Sequence, residues 1–97
     1  SEKESIDGLL SDYTSYEMAN SRISIVKESI VSAQNVLESY TRLFLAGKRQ
    51  WLDLVNTSRE LTQYKIELSN LQTTKSILAY KLALKNGQID LLNGNIK

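Results

Sequence analysis

The side chains that could do chemistry are crowded into residues 44–56, where basic, acidic and bulky apolar residues follow one another closely. Lys48 and Arg49 supply positive charge, and Asp53 supplies negative charge a few positions later. Charges of this kind are typical of helix ends, because the helix dipole stabilises cations at a C-terminus and carboxylates at an N-terminus. The segment therefore indicates that one helix ends near Lys48 and that another begins before Asp53.

The chain lacks the residues that most often make and break bonds. It has no His and no Cys, which removes imidazole acid/base catalysis, thiol nucleophiles and the usual zinc sites. Its 11 carboxylates are scattered, and Glu38 and Arg42 are an ordinary i,i+4 pair. Gly47 and Lys48 lack the rest of a phosphate-binding loop. We expect no enzyme activity, no catalytic residue, no metal site and no cofactor.

Charge and hydropathy patterning argue against two further classes. The 12 basic and 11 acidic residues give a net charge of +1, whereas a nucleic-acid binder needs a clustered basic face. No run approaches the roughly 20 apolar residues of a membrane helix, and no apolar core of a signal peptide is visible. Since the chain starts with Ser and not Met, we expect a piece of a longer protein.

A heptad repeat of apolar residues runs through the first half of the chain. One series in steps of seven contains Leu9, Tyr16, Ile23, Ile30, Leu37 and Phe44. Its companion series contains Asp12, Ala19, Val26, Ala33 and Tyr40. Ten of these 11 positions are apolar or aromatic, which is typical of a coiled-coil seam and not of a strand.

The second half repeats the pattern in a different phase. Its two series are Leu54, Leu61, Leu68, Lys75 and Leu82, and Thr57, Tyr64, Leu71, Leu78 and Lys85. Seven of the ten positions are apolar, and at Lys75 and Lys85 the stem can pack while the charged head reaches water. The step from Phe44 to Leu54 is ten residues, so the two seams do not join in phase.

Gly47 lies at this break and predicts a turn, because glycine readily adopts the positive φ that often ends a helix. With no Pro in the chain, we predict two long helices, residues 3–46 and 50–86, joined by a tip turn at residues 46–50. A connection this short makes the two helices antiparallel.

The second helix is predicted to end at Asn86 and Gly87, because this pair suits a helix C-cap. Residues 87–97 are then a polar tail. The fold predicted for residues 1–97 is therefore all-α, a long antiparallel two-helix coiled-coil hairpin.

Apolar residues also occur outside the seam, among them Leu10, Val31, Trp51 and Ile66. A stripe this wide indicates neighbours on more than one side of each helix. One interpretation is a hairpin in an ordinary helical bundle, and another is two adjacent helices in the wall of a larger helical barrel. The 30 Ser, Thr, Asn and Gln residues suit the wet, uncharged wall of such a barrel, although plain solvent exposure accounts for them equally well.

The tip segment, from Phe44 to Asn56, resembles the TolC family of trimeric outer-membrane channel proteins. The shared pattern is an aromatic residue, a small turn with Gly and a basic residue, and then hydrophobic–Asp–hydrophobic–hydrophobic at the start of a long helix. The likeness spans roughly residues 13–92 and includes the stretches Val31-Ser32-Ala33-Gln34, Arg59-Glu60-Leu61 with Tyr64, and Gly87-Gln88-Ile89.

The resemblance implies a particular assembly. Three protomers would form an outer-membrane β-barrel that continues as a periplasmic α-helical barrel, and this chain would be one hairpin of that α-barrel. The tip is most similar to members that serve type I secretion, including the export of large adhesins, and efflux is the other role of the family. The implied partners are a periplasmic adaptor protein and, through it, an inner-membrane ABC or other transporter.

The resemblance also assigns roles at the tip. Ala46, Gly47, Lys48 and Arg49 match the turn that adaptors grip, although many members have Val in place of Ala46 and Leu or Thr in place of Lys48. Arg49 would hold the closed entrance through polar links, with Phe44 nearby. Some members have Tyr at Phe44, so a link that needs that hydroxyl is absent.

Two residues of the second helix match the pore constriction of the family. Asp53 would point into the pore, where three copies form a ring of negative charge that favours cations. Asn56 stands where efflux members can carry a second Asp, so a second charged ring would be missing.

Two alternatives remain open at this point. A periplasmic adaptor hairpin has a similar length and heptad pattern, but Trp51-Leu52-Asp53 fits the channel side of the contact better. A cytoplasmic coiled-coil scaffold or tether is the other alternative, and topology separates it from a channel, because a channel should have amphipathic β-strands and a second similar hairpin in the flanking sequence.

Overall fold

Two long helices and one short turn make up the structure. The computed structural model describes residues 2–96, and it describes their side chains except those of residues 89 and 92–96. Helix α1 is Glu2–Leu45 and helix α2 is Trp51–Ile96, and this part of the chain contains no strand. The two helices lie side by side in a rod of 75 × 18 × 14 Å. The predicted all-α antiparallel hairpin is confirmed.

The apolar seam joins the helices at the predicted heptad positions. Its buried side chains come from both helices: Ala19, Ile23, Val26 and Ala33 of α1, and Thr57 and Leu61 of α2. Of the 21 positions predicted for the seam, 20 are buried or half-buried, and only Phe44 is exposed. Val26 is the most deeply buried side chain, at 1% exposure. The seam is one side chain deep, so it buries far less apolar surface than the core of a globular domain.

Charged side chains pair across the helices in the half of the seam away from the turn. Lys85 of α2 binds the carboxylate of Asp12 at 2.5 Å, and Lys75 donates a hydrogen bond of 2.8 Å to Asn20 Oδ1. The two lysine heads were expected to reach water, but each binds a partner on α1. Asp12 and Lys85 are half-buried, and any other register would leave their charges unpaired, which is costly, so this pair helps to fix how the helices align. The hydrogen bond from Lys75 to the exposed Asn20 contributes less.

Helix α2 continues beyond its predicted end. The predicted cap at Asn86 and Gly87, with a polar tail at residues 87–97, is wrong, because α2 runs through both residues to Ile96. Among the described glycines only Gly47 has a positive φ, so Gly87 keeps helical geometry. A glycine inside a helix costs only about 1 kcal/mol relative to Ala, and no Pro follows to end the helix.

Replacement by Ala should change the stability in opposite directions at Gly87 and at Gly47. At Gly87 a Cβ meets no atom within 4 Å, so Ala should raise the free energy of unfolding by up to about 1 kcal/mol. At Gly47 φ is 75°, a conformation that costs an L-residue roughly 1–2 kcal/mol, so Ala at this position should lower the free energy of unfolding. Urea unfolding followed by circular dichroism measures both changes. Shifts of the same sign would contradict the assigned turn.

The pair of Asp12 and Lys85 should show a measurable energetic coupling, because the two side chains are only 20% and 36% exposed. A double-mutant cycle with Asp12→Asn and Lys85→Met should give about 0.5–1 kcal/mol, falling as salt is added. Arg22 and Glu67, 2.7 Å apart with side chains 51% and 35% exposed, are the matched control and should couple less. Equal coupling in the two cycles would show that the seam pair has no special part in fixing register.

Candidate functional site at the tip of the hairpin

The turn between the helices is closed by three backbone hydrogen bonds. Lys48 N donates to the carbonyl of Leu43 at 2.8 Å, Gly47 N to that of Phe44 at 2.9 Å, and Ala46 N to that of Arg42 at 3.1 Å. The first two bonds, with Gly47 at a φ of 75°, form the Schellman motif that satisfies the last carbonyls of a helix. The sequence folds this way because Gly47 lacks the Cβ that would oppose the left-handed conformation.

Arg49 is held between an aromatic ring and a carboxylate. Its guanidinium carbon lies 3.7 Å from the centre of the Tyr40 ring, which is cation–π geometry. Its Nη1 lies 3.5 Å from Asp53 Oδ2, and the two charged side chains are 36% and 39% exposed. The structure thus links the last heptad of α1, the turn and the first turn of α2 through one side chain.

Tyr40 was not among the residues predicted for the tip. The sequence placed it in the seam and placed Phe44 beside Arg49, but the ring beneath the guanidinium is that of Tyr40, one helical turn earlier. Phe44 is 40% exposed on the last turn of α1. The signal in the sequence was an aromatic residue at the last position of the companion heptad series, where a basic side chain from the turn can fold back over it.

Large apolar side chains surround the turn without being covered. We call this set the apolar tip: Leu43, Phe44, Leu45, Trp51 and Leu52. Leu45 is 79% exposed and Trp51 is 63% exposed. Both lie next to the turn, outside the seam in which the two helices cover each other. Five exposed apolar side chains close to one turn offer surface that another molecule can cover.

Lys48 projects from the turn beside a shallow open cleft. The cleft has a volume of about 610 Å³, and it is lined by Leu43, Gly47, Lys48, Arg49, Gln50 and Asp53. Ala46, Gly47 and Lys48 are all exposed. The residues that the sequence assigned to the turn therefore lie together on the outermost surface of the hairpin, next to the apolar tip.

Asp53 and Asn56 lie on the first two turns of α2, three positions apart and so on the same side of the helix. The Asp53 carbonyl accepts a hydrogen bond of 2.8 Å from Oγ1 of the buried Thr57. The Asp53 N–H donates to the Gln50 carbonyl at 3.1 Å. The backbone of Asp53 is therefore anchored twice, while its carboxylate faces Arg49 and solvent. Asn56 is exposed.

A second cleft, of about 360 Å³, opens midway along the rod and includes the carboxylates of Glu28 and Glu60. Tyr64 donates a hydrogen bond of 3.0 Å to Glu60 Oε1. This bond and the charge of Glu60 raise the pKa of Tyr64 above its ordinary value, because both favour the protonated phenol. None of the predicted site residues lies in this cleft.

The charged and exposed apolar side chains at the tip are suited to binding another molecule and to attracting or repelling ions. Within residues 2–96, no group of three or more His, Cys, Asp or Glu side chains is placed to hold a metal ion. None of the helical segments searched in that part of the chain combines the length and apolar character needed to cross a membrane. The turn and the first turn of α2 offer the guanidinium of Arg49, the ammonium of Lys48 and the carboxylate of Asp53, next to the apolar tip.

Comparison of the chain with protein-family models, curated proteins and solved structures finds no match. The geometry of the tip and the pattern of its residues are therefore the features from which a function can be inferred.

The contact of Arg49 with Tyr40 should contribute to stability through the ring and not through the hydroxyl. A double-mutant cycle with Tyr40→Leu and Arg49→Gln should give a coupling of about 0.5–1 kcal/mol. Tyr40→Phe, which keeps the ring, should retain most of that coupling in its own cycle with Arg49→Gln. Thermal unfolding of the variants measures the values. Loss of the coupling in the Phe variant would mean that the hydroxyl, and not the cation–π contact, holds Arg49.

Proposed function

We propose that the chain is the periplasmic entrance hairpin of a TolC-like outer-membrane export channel. The channel would be a passive conduit for type I secretion, including that of large adhesins, or for efflux. Three copies of the full-length protein would form a trimeric periplasmic α-barrel beneath an outer-membrane pore. The tip would dock a periplasmic adaptor protein that connects the channel to an inner-membrane transporter.

The observation that carries this proposal is an exposed apolar tip around a cationic turn, at the end of a 75 Å antiparallel rod. A hairpin that served only as a rigid spacer would need polar residues at its end, because exposed apolar surface favours association. Leu45 and Trp51 are the most exposed members of the apolar tip. End-on docking would cover them without disturbing the seam.

The pair of Arg49 and Asp53 supports a role for the same tip in conduction. In a trimer, three copies of Asp53 would form a ring of negative charge near the entrance, and such rings favour cations. At 3.5 Å, each Arg49 compensates part of the charge of its neighbouring carboxylate. The net field of the ring therefore depends on whether Arg49 stays on Asp53 or moves away.

Removal of the two charges should shift the ion selectivity of the full-length channel in opposite directions. Asp53→Asn removes negative charge from the ring and should lower the preference for cations, whereas Arg49→Gln uncovers the carboxylate and should raise it. Reversal potentials measured in planar bilayers under a salt gradient give the ratio of cation to anion permeability. We expect changes of about twofold or more, since each substitution occurs three times around one constriction.

Asp90→Asn is the matched control, because it removes the same charge from an exposed position at the other end of the rod. It should leave the permeability ratio unchanged. If all three variants matched the parent protein, Asp53 would not line a constriction. A full-length protein that forms no conducting pore would contradict the channel, and would leave an adaptor hairpin or a coiled-coil scaffold as the explanation of the rod.

A further inference from the structure

We propose that the partner docked at the tip presents a carboxylate to Lys48, between apolar side chains that meet the apolar tip. This inference rests on the proposed docking function and adds the chemistry of the partner surface. The occupant is a helical tip of the adaptor protein with an acidic residue at its turn.

The charge balance of the tip is the first argument. Residues 38–53 contain Arg42, Lys48 and Arg49 against Glu38 and Asp53, so three positive charges and two negative charges give +1. Glu38 balances Arg42 and Asp53 faces Arg49 at 3.5 Å, so Lys48 carries the net positive charge of the tip. An approaching surface of negative charge is therefore attracted to the tip.

The two turn cations differ in what they already bind. Arg49 is occupied by Asp53 at 3.5 Å and by the Tyr40 ring at 3.7 Å. Lys48 forms no ion pair with any described residue, and its side chain is exposed at the edge of the cleft. An incoming carboxylate can therefore pair with Lys48 without breaking a contact, whereas pairing with Arg49 would compete with Asp53.

The small end of the rod makes this charge important. The two short dimensions, 18 Å and 14 Å, give a cross-section of only about 250 Å². A stable interface buries about 800 Å² on each partner, so the tip of one hairpin can supply only part of it. Several hairpins must then act together, and each can contribute few contacts. With so little apolar area available, one charge pair in each tip has a large influence on partner choice.

A protein tip fits these observations better than an anionic membrane. Lys48 is a single exposed cation on a narrow tip, whereas recognition of an anionic membrane usually takes a cluster of about four to eight basic residues. A single carboxylate on a narrow helical turn can reach Lys48 and avoid Asp53. An acidic membrane surface is therefore a competing outcome of the test.

The experiment uses the full-length trimer in detergent and synthetic helix–turn–helix peptides as probes. The peptides share one sequence except at the turn, which presents Leu-Glu-Leu, Leu-Gln-Leu or Leu-Lys-Leu, and they are immobilised in several copies to allow multivalent binding. We expect the acidic probe to bind about three- to tenfold more tightly than the neutral probe, and the basic probe to bind most weakly. The preference should decrease as salt is added. Trp51 is the only Trp in these 97 residues, so in a full-length protein whose other Trp residues are replaced by Phe its fluorescence would report contact at the tip.

Lys48→Gln should abolish the preference for the acidic probe while leaving binding of the neutral probe unchanged. Lys27→Gln, which removes the same charge from an exposed position midway along α1, is the control and should keep the preference. Equal binding of acidic and neutral probes, a preference that survives Lys48→Gln, or failure of every peptide to bind would each overturn the proposal. So would binding of phosphatidylglycerol vesicles in place of the peptides.

The failure of this inference can be told apart from failure of the proposed function. If the channel conducts and the neutral and acidic probes bind equally, the proposed docking is supported, and the claim that the partner presents a carboxylate to Lys48 is refuted. If the protein forms no pore but prefers the acidic probe through Lys48, the recognition chemistry stands and the channel does not.

Discussion

The register between α1 and α2 is the constraint on which the tip depends. The step from Phe44 to Leu54 is ten residues, so the two heptad seams are out of phase along the chain. The turn between them therefore has two tasks: it reverses the chain, and it sets which residues of α1 and α2 lie side by side. Gly47, at a φ of 75°, makes the reversal possible in a few residues. At the other end of the rod, Lys85 on Asp12 opposes any slip of one helix along the other. With both ends fixed, the side chains around the turn meet in one arrangement.

The sequence predicted what depends on periodicity, and it missed what depends on individual contacts. A heptad pattern identifies which face is buried, and only Phe44 departs from the predicted seam. The heptad pattern does not show which aromatic ring a long arginine side chain contacts, so the contact between Arg49 and Tyr40 was missed. The end of α2 was wrong because Gly87 fits both a cap and a helix interior, and local rules cannot decide between them when the cost is about 1 kcal/mol.

The apolar surface that remains exposed explains why we interpret the hairpin as part of an assembly. Besides the apolar tip, Ile77, Tyr80 and Leu84 on the outer side of α2 are 52%, 67% and 51% exposed. Two helices can cover only one stripe of each other, so a wide apolar stripe leaves uncovered side chains on the remaining faces. This exposure suits a bundle as well as a barrel. The tip, and not the sides of the rod, is therefore the feature that favours a channel entrance.

At the tip, adjacent basic residues have different surroundings and therefore suit different tasks. Arg49 is half-buried between Tyr40 and Asp53, so its charge acts mainly on the carboxylate beside it. Lys48, one residue earlier, lies on the exposed surface, so its charge acts on whatever approaches from outside. Because Arg49 is held by Tyr40 and Asp53 and not by Lys48, a partner could neutralise Lys48 without displacing Arg49. In the proposed channel, docking and control of the Asp53 charge could then vary independently, although both would depend on the same short turn.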